Sequence, residues 1–135
     1  MTSFDIMVVS PNLEVQQAFA GVLGLWGLSP IVAPSVREAE EIVNRHPVSL
    51  VFYSDEFPED TGMDGFIRRA SRPSNKVPVV VVSRLDDSEH FVGFLRRGAV
   101  DYVLYPLSEV DVARVVKNAF GLAQSGRVLQ VAAAS

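Results

Sequence analysis

The sequence predicts an α/β domain in which a parallel sheet carries helices on both faces. Five short apolar runs recur along the 135 residues, and stretches with helical periodicity separate them. Three of the runs are continuous rather than alternating, as expected for strands that are covered on both faces. Strands that alternate with helices of about 10–15 residues indicate right-handed βαβ units and a doubly wound sheet.

The five predicted strands are the apolar runs Phe4–Val9, Pro30–Ala33, Leu50–Tyr53, Pro78–Val82 and Asp101–Tyr105. For five parallel strands, a common doubly wound order is 2-1-3-4-5, the flavodoxin-like arrangement. We therefore predict this order, with five helices. In such folds ligands bind beyond the carboxyl ends of the strands, so we expect the functional site at that edge of the sheet.

The first two helices carry recognisable start and stop signals. Asn12 is a candidate N-cap for the first helix, whose apolar stripe extends to Trp26 and which Gly27 ends. The motif Ser35-Val36-Arg37-Glu38 is a capping box for the second helix, and Pro47 ends it. We expect Trp26 and the phenylalanines to lie in or near the core.

Three further helices complete the predicted domain. They run from Met63 to about Ser71, from a cap at Asp86 or Asp87 to Gly98, and from a cap at Ser108 through Ala123. We predict one domain over residues 1–124, followed by a tail or truncated linker over residues 125–135. His90, early in the fourth helix, has no partner at metal-ligand spacing and is expected to be a surface residue.

Composition excludes several classes of protein. Apolar residues make up 48% and charged residues 21% of the chain, which does not fit a disordered protein. The net charge is −4 without a long basic run, so we predict no nucleic-acid binding by this domain. The sequence contains no cysteine, no membrane-length apolar stretch and no signal-peptide pattern, which predicts a cytoplasmic domain. No catalytic triad, zinc cluster or nucleotide-binding loop is present, so we predict no enzyme.

Short motifs follow the predicted strands in a definite order. They are Val8-Val9, Leu50–Ser54 with Phe57-Pro58, Met63-Asp64-Gly65, Val77–Ser83, Arg97–Tyr102 and Tyr105-Pro106. Together, from about Phe4 to Ala123, they resemble the CheY-like receiver domain of two-component response regulators. The resemblance implies the flavodoxin-like fold and a role in signal transduction of the two-component or phosphorelay type.

The resemblance also implies a chemistry that this sequence lacks at most positions. In the family, an acidic pair holds Mg²⁺, an aspartate accepts the phosphoryl group, a hydroxyl and a lysine hold its oxygens, and an aromatic residue acts as a switch. The matching positions here are, in that order, Ser10 and Pro11, Ser54, Ser83, Tyr105 and Tyr102. Without carboxylates there is neither a hard-cation site nor a carboxylate nucleophile. We therefore predict a pseudo-receiver that has no metal and no cofactor.

The loop after the third strand leaves the acceptor position open. The spacing from Pro58 to Gly65 is longer than in the family. If the strand bulges, Asp55 or Glu56 reaches the pocket, and Asp55 becomes a fallback acceptor that needs Mg²⁺. In a regular strand, Asp55 points to the opposite face from Ser54. We favour the regular strand, with a solvated acidic loop formed by Asp55, Glu56, Glu59 and Asp60.

Three functions remain, and we rank them in the following order. The first is a phosphorylation-independent module that contacts a signalling protein, a histidine kinase, an output domain or a second copy of itself. Its predicted contact face comprises Arg96, Arg97, Asp101, Arg114 and Lys117. The second is a domain that binds a small molecule in a neutral pocket lined by Ser10, Ser54, Ser83 and Tyr105. The third is a phosphoacceptor that uses Asp55 with a reorganised magnesium site.

Overall fold

The computed structural model describes residues 4–57, 62–70, 72 and 76–134, and for residues 122–134 it describes the backbone alone. Strands and helices alternate in the order β1 (Ile6–Val9), α1 (Leu13–Gly24), β2 (Ile31–Ala33), α2 (Val36–Arg45), β3 (Leu50–Ser54), α3 (Met63–Ala70), β4 (Val79–Ser83), α4 (Ser88–Arg96), β5 (Asp101–Leu104) and α5 (Glu109–Ala134). All strand pairs are parallel, in the order β2-β1-β3-β4-β5. The predicted fold class and strand order are confirmed.

Alternation along β3 sends successive side chains into two separate cores. Phe52 packs with α1 and α5, and its ring lies 4.6 Å from that of Phe19 on α1. Tyr53 packs with α2 and α3 on the other face of the sheet. Every residue of β1, β3 and β4 is buried, which explains why these strands are continuous apolar runs. At the end of β3, this alternation places Ser54 and Asp55 on opposite faces.

The predicted starts of α1, α2 and α4 are confirmed, because a capping side chain precedes each helix. The Asn12 side chain accepts a hydrogen bond from the Glu14 backbone N–H at 2.9 Å. Ser35 accepts from the Glu38 N–H at 3.2 Å and donates to the Glu38 carboxylate at 2.9 Å, which completes the capping box. Asp87, rather than Asp86, caps α4.

Trp26 was expected in the core, and that prediction is wrong. The helix α1 ends at Gly24, so Trp26 lies in the turn beyond it, where 41% of its surface is exposed. Gly27 adopts φ +74°, a left-handed conformation that glycine tolerates, and turns the chain back toward β2. Phe120 on α5 is also exposed, against expectation, because it lies outside the stripe that faces the sheet.

The helix α5 is longer than the sequence predicts. Its inner stripe of Val112, Val115, Val116 and Ala119 is buried as predicted, whereas the side chain of Ala123 lies outside the described residues. The backbone remains helical to Ala134, through the segment that the sequence assigns to a tail. Within the described part of the chain, no helix combines the length and the hydropathy needed to cross a membrane.

Candidate functional site

Three buried serines lie at the carboxyl ends of the central strands. Ser10, Ser54 and Ser83 follow or end β1, β3 and β4, and each is at most 2% exposed. Each hydroxyl accepts a hydrogen bond from the backbone N–H two residues further along, at 3.2, 3.3 and 3.0 Å respectively. Such short local bonds are typical of turns that begin with serine. The predicted pocket positions are therefore neutral and hydrogen-bonded, and Pro11 beside them is exposed.

The carboxylate of Glu56 turns back over the end of β3. Its Oε2 accepts a hydrogen bond from the Ser54 hydroxyl at 3.2 Å. Its Oε1 accepts from Arg84 Nε at 3.1 Å and from Asn12 Nδ2 at 3.4 Å. Glu56 is exposed, as expected for the acidic loop, but donors from three strand ends contact its carboxylate. The same carboxylate adjoins the position at which the family holds its acceptor. Glu59 and Asp60, assigned to the same loop, lie outside the described residues.

Arg84 and Tyr105 close the pocket above this carboxylate. The guanidinium carbon of Arg84 lies 4.4 Å from the centre of the Tyr105 ring, a cation–π contact. The Tyr105 hydroxyl donates to Glu14 Oε1 at 2.8 Å, and the peptide bond before Pro106 is cis. The space left in this partly open pocket measures about 10 Å³. A cavity of this size holds no more than a single water molecule.

Two pKa values in the pocket depart from their ordinary ranges. The hydrogen bond from Arg84 to Glu56 raises the pKa of the guanidinium, so Arg84 stays charged. The hydrogen bond from Tyr105 to the Glu14 carboxylate, followed by burial, raises the pKa of the Tyr105 phenol. Both shifts favour the protonated form, so the ion pair and the Tyr105 hydroxyl donor persist over the whole physiological pH range.

Asp55 lies on the opposite face from Ser54 and is paired there. Its Oδ2 lies 2.9 Å from Nε2 of His90 on α4, and the two side chains are 13% and 31% exposed. The Asp55 N–H donates to the Val82 carbonyl at 3.0 Å, so the ladder continues without a bulge at this residue. The expectation of a solvated Asp55 is wrong, because its side chain is largely buried against His90, whereas His90 itself remains partly exposed.

Tyr102 and Ser83 meet at the connection between β4 and α4. The Tyr102 hydroxyl donates to the Leu85 carbonyl, and the Leu85 N–H donates to Ser83 Oγ. Burial raises the pKa of the Tyr102 phenol, while a hydrogen bond with the Ser83 side chain acts in the opposite direction. The Tyr102 ring packs on Phe91 of α4 at 4.9 Å. The predicted switch pair is thus in contact through one loop.

The residues of the predicted contact face take part in separate local contacts. Arg114 Nη1 and Asp101 Oδ2 form an ion pair at 2.8 Å. Arg97 lies 3.6 Å from Asp64 of α3, and Arg96 is exposed on α4. Lys117 is part of a different region, where it lines a cavity between α5 and the turn after α1.

Magnesium, which the resemblance implies for a working acceptor, does not fit these residues. The positions of the acidic pair and the acceptor carry two serine hydroxyls and a proline. Two acidic residues, Asp55 and Glu56, line the pocket. The Asp55 carboxylate is paired with His90, and the Glu56 carboxylate already accepts hydrogen bonds at both oxygens. In the described ranges, no group of three or more His, Asp and Glu side chains is arranged to hold a metal ion. We therefore derive no step that uses magnesium.

The sequence places Arg84 at the predicted site edge, but we assigned it no role, did not single out Glu14 and favoured a solvated Glu56. A signal was present, because Arg84 directly follows Ser83 and Glu56 comes two residues after Ser54. Two opposite charges that follow adjacent parallel strands lie at the same sheet edge. The pairing β3–β4, with Ser54 beside Val82, brings them within bonding distance.

Comparisons with known proteins agree with this fold, although no family model matches the chain. An NtrX-like response regulator of Rickettsia bellii is 26% identical over 121 residues, which is 88% of this chain and 25% of that protein. The transcriptional regulatory protein ZraR of Escherichia coli K12 is 26% identical over 119 residues, 87% of this chain and 26% of that protein. A response regulator from Thermotoga maritima superposes with a TM-score of 0.75 at 26% identity, over 87% of this chain and 98% of that one. The chain has the fold of CheY-like receiver domains and is similar in sequence to response regulators.

The chain corresponds to only part of its curated relatives. The chain spans about a quarter of the length of the NtrX-like protein and of ZraR. It covers nearly the whole of the Thermotoga response regulator, however, which is similar in both length and fold. The receiver fold therefore accounts for most of the described chain.

Proposed function

We propose that this receiver domain acts in two-component-type signal transduction through protein contacts, without phosphorylation of an aspartate. The observation that carries the proposal is the Glu56 carboxylate, which lies beside Ser54 and is held there by Arg84. The signalling role is supported by the relatives, which are a response regulator and a transcriptional regulatory protein.

The chemistry of the pocket disfavours phosphoryl transfer to Ser54. The Glu56 carboxylate is the one acid in contact with Ser54, and its oxygens also accept from Arg84 and Asn12. Its negative charge repels the oxygens of an incoming phosphodonor at close range. A phosphoserine is moreover a stable ester, unlike the labile acyl phosphate of an aspartate.

The two alternatives find less support at the same site. A phosphoacceptor at Asp55, which lines the same pocket as Ser54, would have to break the contact between its carboxylate and His90. A small molecule among Ser10, Ser54, Ser83 and Tyr105 would have to displace Glu56 and Arg84, because the present space admits a single water. Among the described residues, we find no contact that would stabilise either rearranged pocket.

Exposed apolar side chains on α4 support the role of protein contacts. Val92 and Leu95 are exposed on this helix, next to the exposed Arg96. The buried core of a protein interface is more apolar than the rest of the surface, and arginine is enriched at interfaces. We propose a signalling protein, a histidine kinase, an output domain or a second copy as the partner of this helix.

Treatment with acetyl phosphate and Mg²⁺, followed by intact-mass measurement, tests the proposal. We expect no phosphoryl adduct on the wild-type chain. The variants Asp55→Asn and Asp64→Asn, the second an exposed acid on α3, should behave identically. An alkali-labile adduct that is present in the wild type and in Asp64→Asn but absent from Asp55→Asn would establish an aspartyl phosphoacceptor and refute the proposal.

A further inference from the structure

A second cavity lies at the opposite end of the sheet from the serine pocket. Phe4, which precedes β1, forms one wall, and Trp26 and Leu28 in the turn after α1 form another. Val116 and Phe120 on α5 complete it, and the cavity measures about 460 Å³. Small-molecule sites in proteins are concave, mainly apolar and about 300–1,000 Å³ in volume. This cavity has the size and lining of such a site.

The walls of the cavity are held by backbone and ring contacts. The Trp26 N–H donates to the Leu23 carbonyl at 3.0 Å, and the Leu28 N–H donates to the same carbonyl at 3.0 Å. The rings of Phe4 and Phe120 pack edge to face at 5.3 Å. Leu28 and Phe4 also contact the core beneath the cavity. The cavity is therefore formed by the hydrogen-bonded end of α1 and by the core residues beneath it.

One charged side chain stands at the edge of this apolar lining. Among the described residues that line the cavity, Lys117 alone is charged, and it forms no ion pair with any described residue. Its neighbours one helical turn away, Ala113, Arg114, Phe120 and Gly121, include no carboxylate. An ammonium group beside an apolar cavity complements a ligand that joins an apolar body to one negative charge.

We propose that this cavity binds a small amphipathic anion, with an alkyl or aromatic body between Trp26 and Phe120 and a carboxylate or a similar group at Lys117. The site is distinct from the serine pocket and does not depend on the signalling role. Trp26 is the one tryptophan in the sequence, so its fluorescence reports directly on this cavity.

Titration with octanoate, and separately with the neutral 1-octanol, tests the proposal through Trp26 emission. We expect a saturable blue shift with octanoate, because an alkyl chain replaces water around the half-exposed indole. Octanoate should bind about threefold more tightly than octanol, as expected for one exposed ion pair. The absence of a saturable shift with octanoate, or equal binding of the two probes, would overturn the proposal.

Three variants locate the binding. In Lys117→Gln the preference for octanoate should disappear, whereas Lys76→Gln, at the other lysine of the chain, should retain it. Ala113→Leu places a larger side chain in the cavity and should abolish the shift, while Ala20→Leu on exposed α1 surface should not. Circular dichroism checks that each variant is folded. If Ala113→Leu retains the shift, or if sedimentation shows that a second copy of the chain covers Trp26, the proposal is refuted.

Discussion

Glu56 determines much of the charge and the hydrogen bonding in the pocket. A single carboxylate, turned back two residues after Ser54, pairs with Arg84 and bonds to Asn12. The acidic residues of the family are missing from this pocket, and the Glu56 carboxylate places a negative charge there instead. Arg84 in turn packs on Tyr105, which holds Glu14, so the four side chains form a connected group of alternating charge and hydrogen bonding.

Substitution of Glu14 tests one contact of this group by its effect on a titration. The Glu14 carboxylate disfavours the Tyr105 phenolate, so the Tyr105 pKa lies above its ordinary value of 10.0. In Glu14→Gln the negative charge is gone, and we expect the Tyr105 pKa to fall toward that value. The ¹³C shift of the tyrosine Cζ followed against pH gives the midpoint.

Tyr102 provides the internal control, because Glu14 is not among the causes that raise its pKa. Its midpoint should be the same in the wild type and in Glu14→Gln. An unchanged Tyr105 midpoint in the variant would show that the Tyr105–Glu14 hydrogen bond does not persist in solution.

At the level of the elements, local signals predicted where helices begin but not how loops fold. Asn12 and Ser35 cap their helices through contacts within three residues, so the short motif contains the whole interaction. The turn after Ser54 has no such motif, and its conformation depends on Arg84, which is distant in the chain. The prediction that Trp26 lies in or near the core failed for a related reason. The apolar stripe of the sequence continues past Gly24, whereas helix α1 ends there.

Removal of the cap of α2 tests how much a single helix start contributes to the free energy of unfolding. Ser35→Ala removes the acceptor of the Glu38 N–H, and we expect a loss of about 0.5–2 kcal/mol in the free energy of unfolding. Urea denaturation followed by circular dichroism measures it. Ser88→Ala, at the first position of α4 inside its Asp87 cap, should change the free energy of unfolding by less. Equal effects of the two substitutions would contradict the assigned role of Ser35.

For the whole molecule, two cores on the faces of one sheet explain why the fold was predictable. The continuous apolar runs of β1, β3 and β4 specify strands that are covered on both sides, and this alone selects the doubly wound arrangement. The chemistry at the sheet edge is not specified in this way, because a few side chains there can vary without disturbing either core. Fold and pocket chemistry are therefore separable in this domain.

Substitution of two phenylalanines compares how much a core side chain and a surface side chain contribute to stability. Phe19 is fully buried against Phe52, so Phe19→Ala should cost about 3–5 kcal/mol in the free energy of unfolding. Phe120 is about half exposed, so Phe120→Ala should cost clearly less. Thermal or urea unfolding of both variants measures the difference. A larger cost for Phe120→Ala would place the core elsewhere than between α1 and β3.

An amide NMR titration with Mg²⁺ and beryllium fluoride, a mimic of the acyl phosphate, tests most directly whether this receiver fold works without aspartyl phosphorylation. We predict unchanged spectra at millimolar Mg²⁺, since Glu56 and Arg84 occupy the pocket and no group of three or more described His, Asp and Glu residues is arranged to hold the metal. Saturable shifts at Asp55, Ser83 and Tyr102 that vanish in Asp55→Asn would contradict the claim and make Asp55 the acceptor.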